Sequence, residues 1–170
     1  MPNNYRISED GKTGIIELNN SDSPVLIDVK DLEVALQYHW YKDCSGYPQA
    51  NPWNAKQKKK EHIRLHRLLM NPPNGMVVDH INHNKLDNRR SNLRLCSQQE
   101  NSFNQSLNSK NMTGYKGVVK CKSSGRYHAF IKKNQKTRFL GSYETKEEAA
   151  QVRASAAFSL FGEFTNPNSA

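Results

Sequence analysis

Cysteine is scarce and poorly placed for pairing. Cys44, Cys96 and Cys121 stand far apart with no Cys-x-x-Cys among them. That spacing argues against a zinc ribbon and a disulfide framework, and the thiols read as reduced. Long apolar runs are missing too: nothing approaches membrane-spanning length, and MPNNYRISEDGKTG lacks a basic-then-apolar signal. The expectation is a soluble chain in the cytoplasm. Hydrophobic residues make up 35% and mean hydropathy is −0.88, so any core is small and the architecture loop-rich or modular. Acidic residues are also in short supply, 16 against 25 Lys and Arg, giving a formal charge of +9. Such a surplus favours a polyanionic partner, nucleic acid or an acidic membrane surface. The cations lie mainly in strand-like and loop-like stretches, which disfavours an amphipathic membrane helix. No protein partner is implied.

What is present reads as an α+β chain. GIIEL suggests a strand and VKDLEVALQY a short helix, with Val29, Leu32 and Leu36 near helical spacing. HWYKDCSGYPQAN suggests strand, turn at Ser45-Gly46, and strand. KQKKKE is a charged turn, either a solvated loop tip or a phosphate-contacting loop. EHIRLHRLLM returns to an apolar pattern, and NPPNG is turn punctuation. Were EHIRLHRLL a strand, His62 and His66 would share a face and could bind metal; packing beside a site is the commoner fate of such a pair. MVVDHI and NLRLC then read as strands around the polar loop NHNKLDNRRS. Ser97 and Glu100 form a capping box that opens a helix, completing a ββα unit.

The polar centre of that unit carries the chemistry. Phosphodiester cleavage needs a base, a cation to offset developing charge, and accurate placement of both. His80 is the natural base, since imidazole titrates near neutrality. Asp79 offers a hard anionic oxygen to Mg²⁺ or Mn²⁺, and Asn101 in the first turn after Ser97 could add an amide oxygen. Adjacent strand residues point to opposite faces, so the strand must end or bend at this pair. Asn92 could tie down the loop backbone and fix His80. Arg67, Arg89, Arg90 and Arg94 are candidate phosphate contacts.

The string HRLLMNPPNGMVVDHINHNKLDNRRSNLRLCSQQEN resembles the phage and intron-associated branch of the HNH (ββα-metal) endonucleases. The resemblance implies one Mg²⁺ or Mn²⁺ per active site on Asp79 and Asn101, His80 as general base, and Asn92 as the middle Asn. It implies a homing-type enzyme acting on double-stranded DNA, located in the bacterial host cytoplasm if phage-encoded. One active site per monomer makes nicking the simpler expectation. Many relatives carry Gly where His83 stands; His83 reads as a neutral loop change, with competition as a second base the alternative.

After LNSKNMTG, read as a linker, GYKGVVKCK, RYHAFIKK and KTRFLGSY give three alternating strands. Thr145 and Glu148 form a second capping box, and Ala149, Val152, Ala156 and Leu160 recur at helical spacing up to Gly162. One sheet face can pack on this helix while the other presents Lys116, Lys120, Lys122, Arg126, His128, Lys132 and Arg138 to a major groove. The string resembles the plant ERF/Apetala-type DNA-binding domain, although family arginines and tryptophans are replaced, for example by Val119 and Tyr127. The expected whole is a ββα-metal HNH nuclease module (1–106), a linker (107–113), and a three-stranded antiparallel sheet packed on one helix (114–168). The rival readings are a non-catalytic DNA-binding regulator and an RNA-processing nuclease.

Overall fold

A computed structural model of the chain describes residues 2–98, 100–101, 111–133 and 136–162. They fall into two units, Met1–Cys96 and Ser97–Ala170. Among the described residues, no helix is long and apolar enough to cross a membrane.

The first unit opens with an antiparallel sheet of β1 (Tyr5–Ile7), β2 (Thr13–Leu18) and β3 (Ser21–Asp28), in that spatial order. Only part of β2 was evident in the sequence; β3 holds Pro24 and a polar start that hide its alternation. Ile16, Val25 and Ile27 turn inward and meet Leu32, Ala35, Trp40, Leu65, Leu69 and Leu86 in one core. Each buried Val, Leu or Ile side chain contributes roughly 1.5–3 kcal/mol. The expected helix forms as a 3₁₀ turn, Val29–Asp31, running into α1 (Leu32–Ala35). Gly14 permits its close approach, since a Cβ there would come within 2.8 Å of the Leu32 side chain. Trp40 is fully buried, and its indole N–H donates to the Ala35 carbonyl at 2.8 Å, so the ring's polar atom is satisfied.

β4 (Tyr41–Lys42), β5 (Pro48–Ala50) and β8 (Ile63–Arg64) form a second sheet; β6 (Trp53–Asn54) and β7 (Lys59–Lys60) make a hairpin around the charged turn. The chain then becomes helical at α2 (Leu65–Met70), which ends on Asn71 in the left-handed region, φ 41°. His62 and His66 therefore do not share a strand face. His62 is exposed beside Gln49 and His66 is buried in the helix. β9 (Met76–His80) and β10 (Leu93–Ser97) pair as a two-stranded sheet.

In the second unit, Ser97 and Glu100 form the capping box: the Glu100 amide donates to Ser97 Oγ at 3.2 Å, and the Ser97 amide to Glu100 Oε2 at 2.7 Å. Gln98, Glu100 and Asn101 are helical; the rest of that expected helix and most of the expected linker lie outside the described residues. β11 (Val118–Lys120), β12 (Tyr127–Lys133) and β13 (Lys136–Tyr143) form the antiparallel sheet. The helix Lys146–Phe161 starts on the Thr145–Glu148 capping box, and the Gly162 amide donates back to the Phe158 carbonyl. Its buried stripe is Ala149, Ala150, Arg153, Ala157 and Phe161, rotated from the expected Ala149, Val152, Ala156, Leu160. Arg153 lies on this stripe, buried rather than solvated. Gly117 lies nearby at φ +71°, where a Cβ would sit 2.4 Å from the Phe130 carbonyl oxygen and 3.3 Å from Arg153 Nε.

Candidate active site

β9 ends at His80, and the chain turns at once, the His83 amide donating to the His80 carbonyl at 3.0 Å. His83 takes a left-handed conformation, φ 64°, a backbone state that glycine adopts without strain. Loop 81–92 is irregular yet densely bonded. Asn92 is its clamp: Oδ1 accepts from the Asn82 amide at 2.9 Å and Nδ2 donates to the Asp87 carbonyl at 2.8 Å. Its backbone carbonyl takes the Ile81 amide at 2.9 Å. A second anchor is β3, where the Leu26 amide donates to the Leu86 carbonyl and the Asn88 amide to the Leu26 carbonyl, at 2.9 and 2.7 Å.

Asp79 and His80 are both buried and face different surroundings, as strand alternation requires. Asp79 meets Arg94, whose Nε and Nη2 lie 2.9 and 2.8 Å from Oδ2. His80 meets Asn88, with Nε2 and the amide Oδ1 3.4 Å apart. Around the imidazole stand the His66 ring, edge-on at 5.2 Å between centroids, and the Tyr47 ring at 5.9 Å. Burial holds the His80 pKa below the ordinary histidine value, partly countered by Asn88 and the negative charge of Asp79. A base needs that neutral state. His66 is pushed down to about 3 by burial and then by His80, and its Nδ1 is buried with no hydrogen-bond partner among the described residues.

Four residues of this neighbourhood escaped the sequence reading: Tyr47, Arg64, Lys85 and Asn88. The Arg64 guanidinium and the Lys85 ammonium lie 4.6 and 4.5 Å from the Tyr47 ring centroid. They come from three separate segments, so no local pattern announces them. Asn88 could have been suspected from its place in the polar run LDNRR.

Three of the four arginines expected at phosphate are engaged inside the unit. Arg89 grips Asp87 at 2.8 and 2.7 Å, Arg90 grips Asp31 at 2.9 Å through two nitrogens, and Arg94 holds Asp79. Arg67 is exposed on α2. In the second unit, Lys122, Lys132 and Arg138 are exposed, and Arg126 reaches the Ser142 carbonyl and Glu144. Lys120 lies over the Tyr127 ring, and His128 faces Phe139. Lys116 is half-buried, and desolvation followed by the Arg153 charge lowers its pKa to about 8. Among the described residues, no group of three His, Cys, Asp or Glu side chains gathers as a metal cage.

The family profile described as HNH endonuclease matches residues 69–103, a span containing Asp79, His80, Asn92 and Asn101. An uncharacterized HNH endonuclease, L560 of Acanthamoeba polyphaga mimivirus, is 40% identical over 137 residues, 79% of this chain and 69% of that protein. This chain belongs to the HNH endonuclease family. The HNH endonuclease is also 37% identical over 60 residues to Protein 3.8 of Escherichia phage T7, covering 35% of this chain and 50% of that one. A solved structure titled "DNA binding and cleavage by the HNH homing endonuclease I-HmuI" aligns over 94% of this chain and 91% of that chain, at 18% identity and a TM-score of 0.38. The family profile and the mimivirus relative make the enzyme a nuclease.

Proposed function

We propose that this nuclease is a divalent-metal-dependent, homing-type enzyme that hydrolyses phosphodiester bonds in double-stranded DNA, nicking one strand per visit. The observation that carries the reading is His80: an imidazole at the end of β9, kept neutral by burial, on a loop clamped by Asn92. In this role His80 accepts a proton from the water that attacks phosphorus in line. Asn92 positions it by holding the loop, and Asn88 orients the ring through Nε2.

Asp79 and Asn101 are the proposed protein ligands of Mg²⁺ or Mn²⁺. The donor set fits: one carboxylate and one amide are hard oxygen donors, and two ligands leave room for water and phosphate oxygens. Asn101 belongs to the second unit, and its role rests on the sequence match. When bound, the ion offsets negative charge on the leaving 3′ oxygen.

The second unit is proposed as an ERF/Apetala-type DNA-holding domain of residues 114–168, joined through 107–113 to the catalytic portion, 1–106. Its contact set is Lys116, Lys120, Lys122, Arg126, His128, Lys132 and Arg138. On the catalytic portion, Arg67 remains a proposed phosphate contact; Arg89, Arg90 and Arg94 act there through the carboxylates they hold. The test is relaxation of supercoiled plasmid with and without Mg²⁺. His80→Ala should abolish nicking and retain DNA. Wild-type protein that binds but never cuts, whatever the divalent metal, would overturn the reading.

A further inference from the structure

The open face of the β11–β13 sheet does not present the row of cations that alternation of its sequence suggests. Cross-strand partners share a face. Val118, Ala129 and Ile131 pack toward the helix Lys146–Phe161 with Ala149, Ala150, Ala157 and Phe161. Their neighbours therefore line the other face: Val119 opposite His128, Phe130 opposite Phe139, and Lys132 opposite Thr137. A register shift after Ala129 sets this arrangement. Ala129 pairs with Gly141 and Phe130 with Phe139, leaving Leu140 as the extra residue. Leu140 packs toward the helix, and Phe139 is re-aimed outward. Phe139 is 53% exposed and Val119 55%.

Three rings are thus gathered on the outside of the sheet. Centroid distances are 5.3 Å for Phe130–Phe139, 5.3 Å for His128–Phe139 and 6.2 Å for His128–Phe130. An apolar surface of this kind normally marks an interaction site. Its surroundings say which kind. Residues 114–143 hold eight Lys or Arg and no Asp or Glu, so the partner is an anion with flat apolar faces. Stacked bases inside a duplex hide those faces, whereas unpaired bases expose them.

We infer that the sheet's open face, built on His128, Phe130 and Phe139, stacks the unpaired bases of single-stranded DNA while surrounding lysines and arginines hold its phosphates. The inference rests on the reading of the enzyme as a DNA nuclease. It refines the substrate to duplex with an adjoining unpaired stretch.

The test uses the full chain without divalent metal and a short single strand carrying 2-aminopurine, alone or annealed to its complement. Stacking predicts fluorescence quenching with the single strand and tighter binding to it than to the duplex. Phe139→Ala should remove the quenching and weaken single-strand binding about ten-fold. Phe139→Leu, which keeps apolar bulk, should also lose the quenching. Because Phe139 is exposed, neither change threatens the fold, and an unchanged melting temperature verifies that. Duplex bound at least as tightly, RNA of the same sequence bound more tightly, or quenching that survives in both variants would overturn the inference. Plasmid cleavage with Mg²⁺ by the same wild-type preparation separates the two failures: cleavage without stacking sinks only the platform, and no cleavage with any divalent metal sinks the DNA-nuclease reading.

Discussion

Truncating Asn92 tests whether the catalytic loop is held by one amide. Asn92→Ala removes the acceptor of the Asn82 amide and the donor to the Asp87 carbonyl. Each neutral hydrogen bond is worth about 0.5–1.5 kcal/mol net, and stranding a buried acceptor costs about 1–3 kcal/mol. The expected loss is about 2–4 kcal/mol, which for a unit of this size lowers the melting temperature by roughly 10–20 °C. Asn92→Asp keeps the acceptor but sets an oxygen against the Asp87 carbonyl, so it should lose no less. Hydrogen exchange supplies the residue-level check. The Asn82 amide should lose protection, while the Ile81 amide, bonded to the Asn92 backbone carbonyl, should keep more of its own. Cleavage should fall on the order of 100-fold at temperatures where the variant remains folded, because small displacements of a catalytic group are costly. A melting shift under about 2 °C, with the Asn82 amide still protected, would refute the clamp.

Arg94→Met takes the guanidinium from the buried Asp79 carboxylate and should cost about 3–5 kcal/mol, with divalent metal restoring part of it in thermal melts; equal melting of variant and wild type in chelator would count against the pair. The His66 pKa is depressed, so as pH falls from the unfolded value of 6.5 the unfolded chain binds a proton that the folded chain refuses. Stability should therefore drop by up to about 1.4 kcal/mol per pH unit until about pH 3, and His66→Phe should flatten that limb in denaturant titrations. His83→Gly should leave stability unchanged or raise it by up to about 1 kcal/mol, since it relieves a left-handed side chain at the price of a looser unfolded state; a clear loss would mean that the imidazole makes a contact of its own. Lys85→Ala should reduce the slope of log binding against log salt by about one, and Arg89→Ala should act mainly on stability; the reverse pattern would return Arg89 to the phosphate.

The parts that could be read from the sequence are local ones. Both capping boxes join residues three apart, and the strands at Met76–His80 and Leu93–Ser97 are bounded by turn-forming residues, so their signals survive without tertiary context. Pairings across long separations did not survive. Asp31 and Arg90 are 59 residues apart, and nothing around Asp31 marks it as the carboxylate that Arg90 takes. Arg153 lies on the buried stripe of its helix, and helical spacing of apolar residues alone does not point to an arginine there. Leu140 could not be assigned to the inward face because one extra residue inverts alternation, and the sequence carries no mark of that shift.

The ion pairs of Arg89 and Arg90 also explain how an irregular loop can serve a reaction that tolerates little displacement. A loop with few ladder hydrogen bonds must satisfy its polar groups in other ways, or it will sample many shapes. Here β3 supplies two backbone bonds, Asn92 supplies two side-chain bonds, and Arg89 and Arg90 tie the loop's far end to carboxylates at 87 and 31. Each guanidinium so engaged has part of its charge compensated before any phosphate arrives. Attraction for a polyanion must then come from elsewhere. In the first unit the cations at the Tyr47 ring, Lys85 and the Asp43-paired Arg64, stand beside the ring that borders His80. In the second unit the proposed source is the stretch from 114 to 143, which holds eight Lys or Arg and no Asp or Glu. On the proposed function, holding the loop and attracting the substrate fall to different residues, so a mutation should separate catalytic placement from DNA affinity.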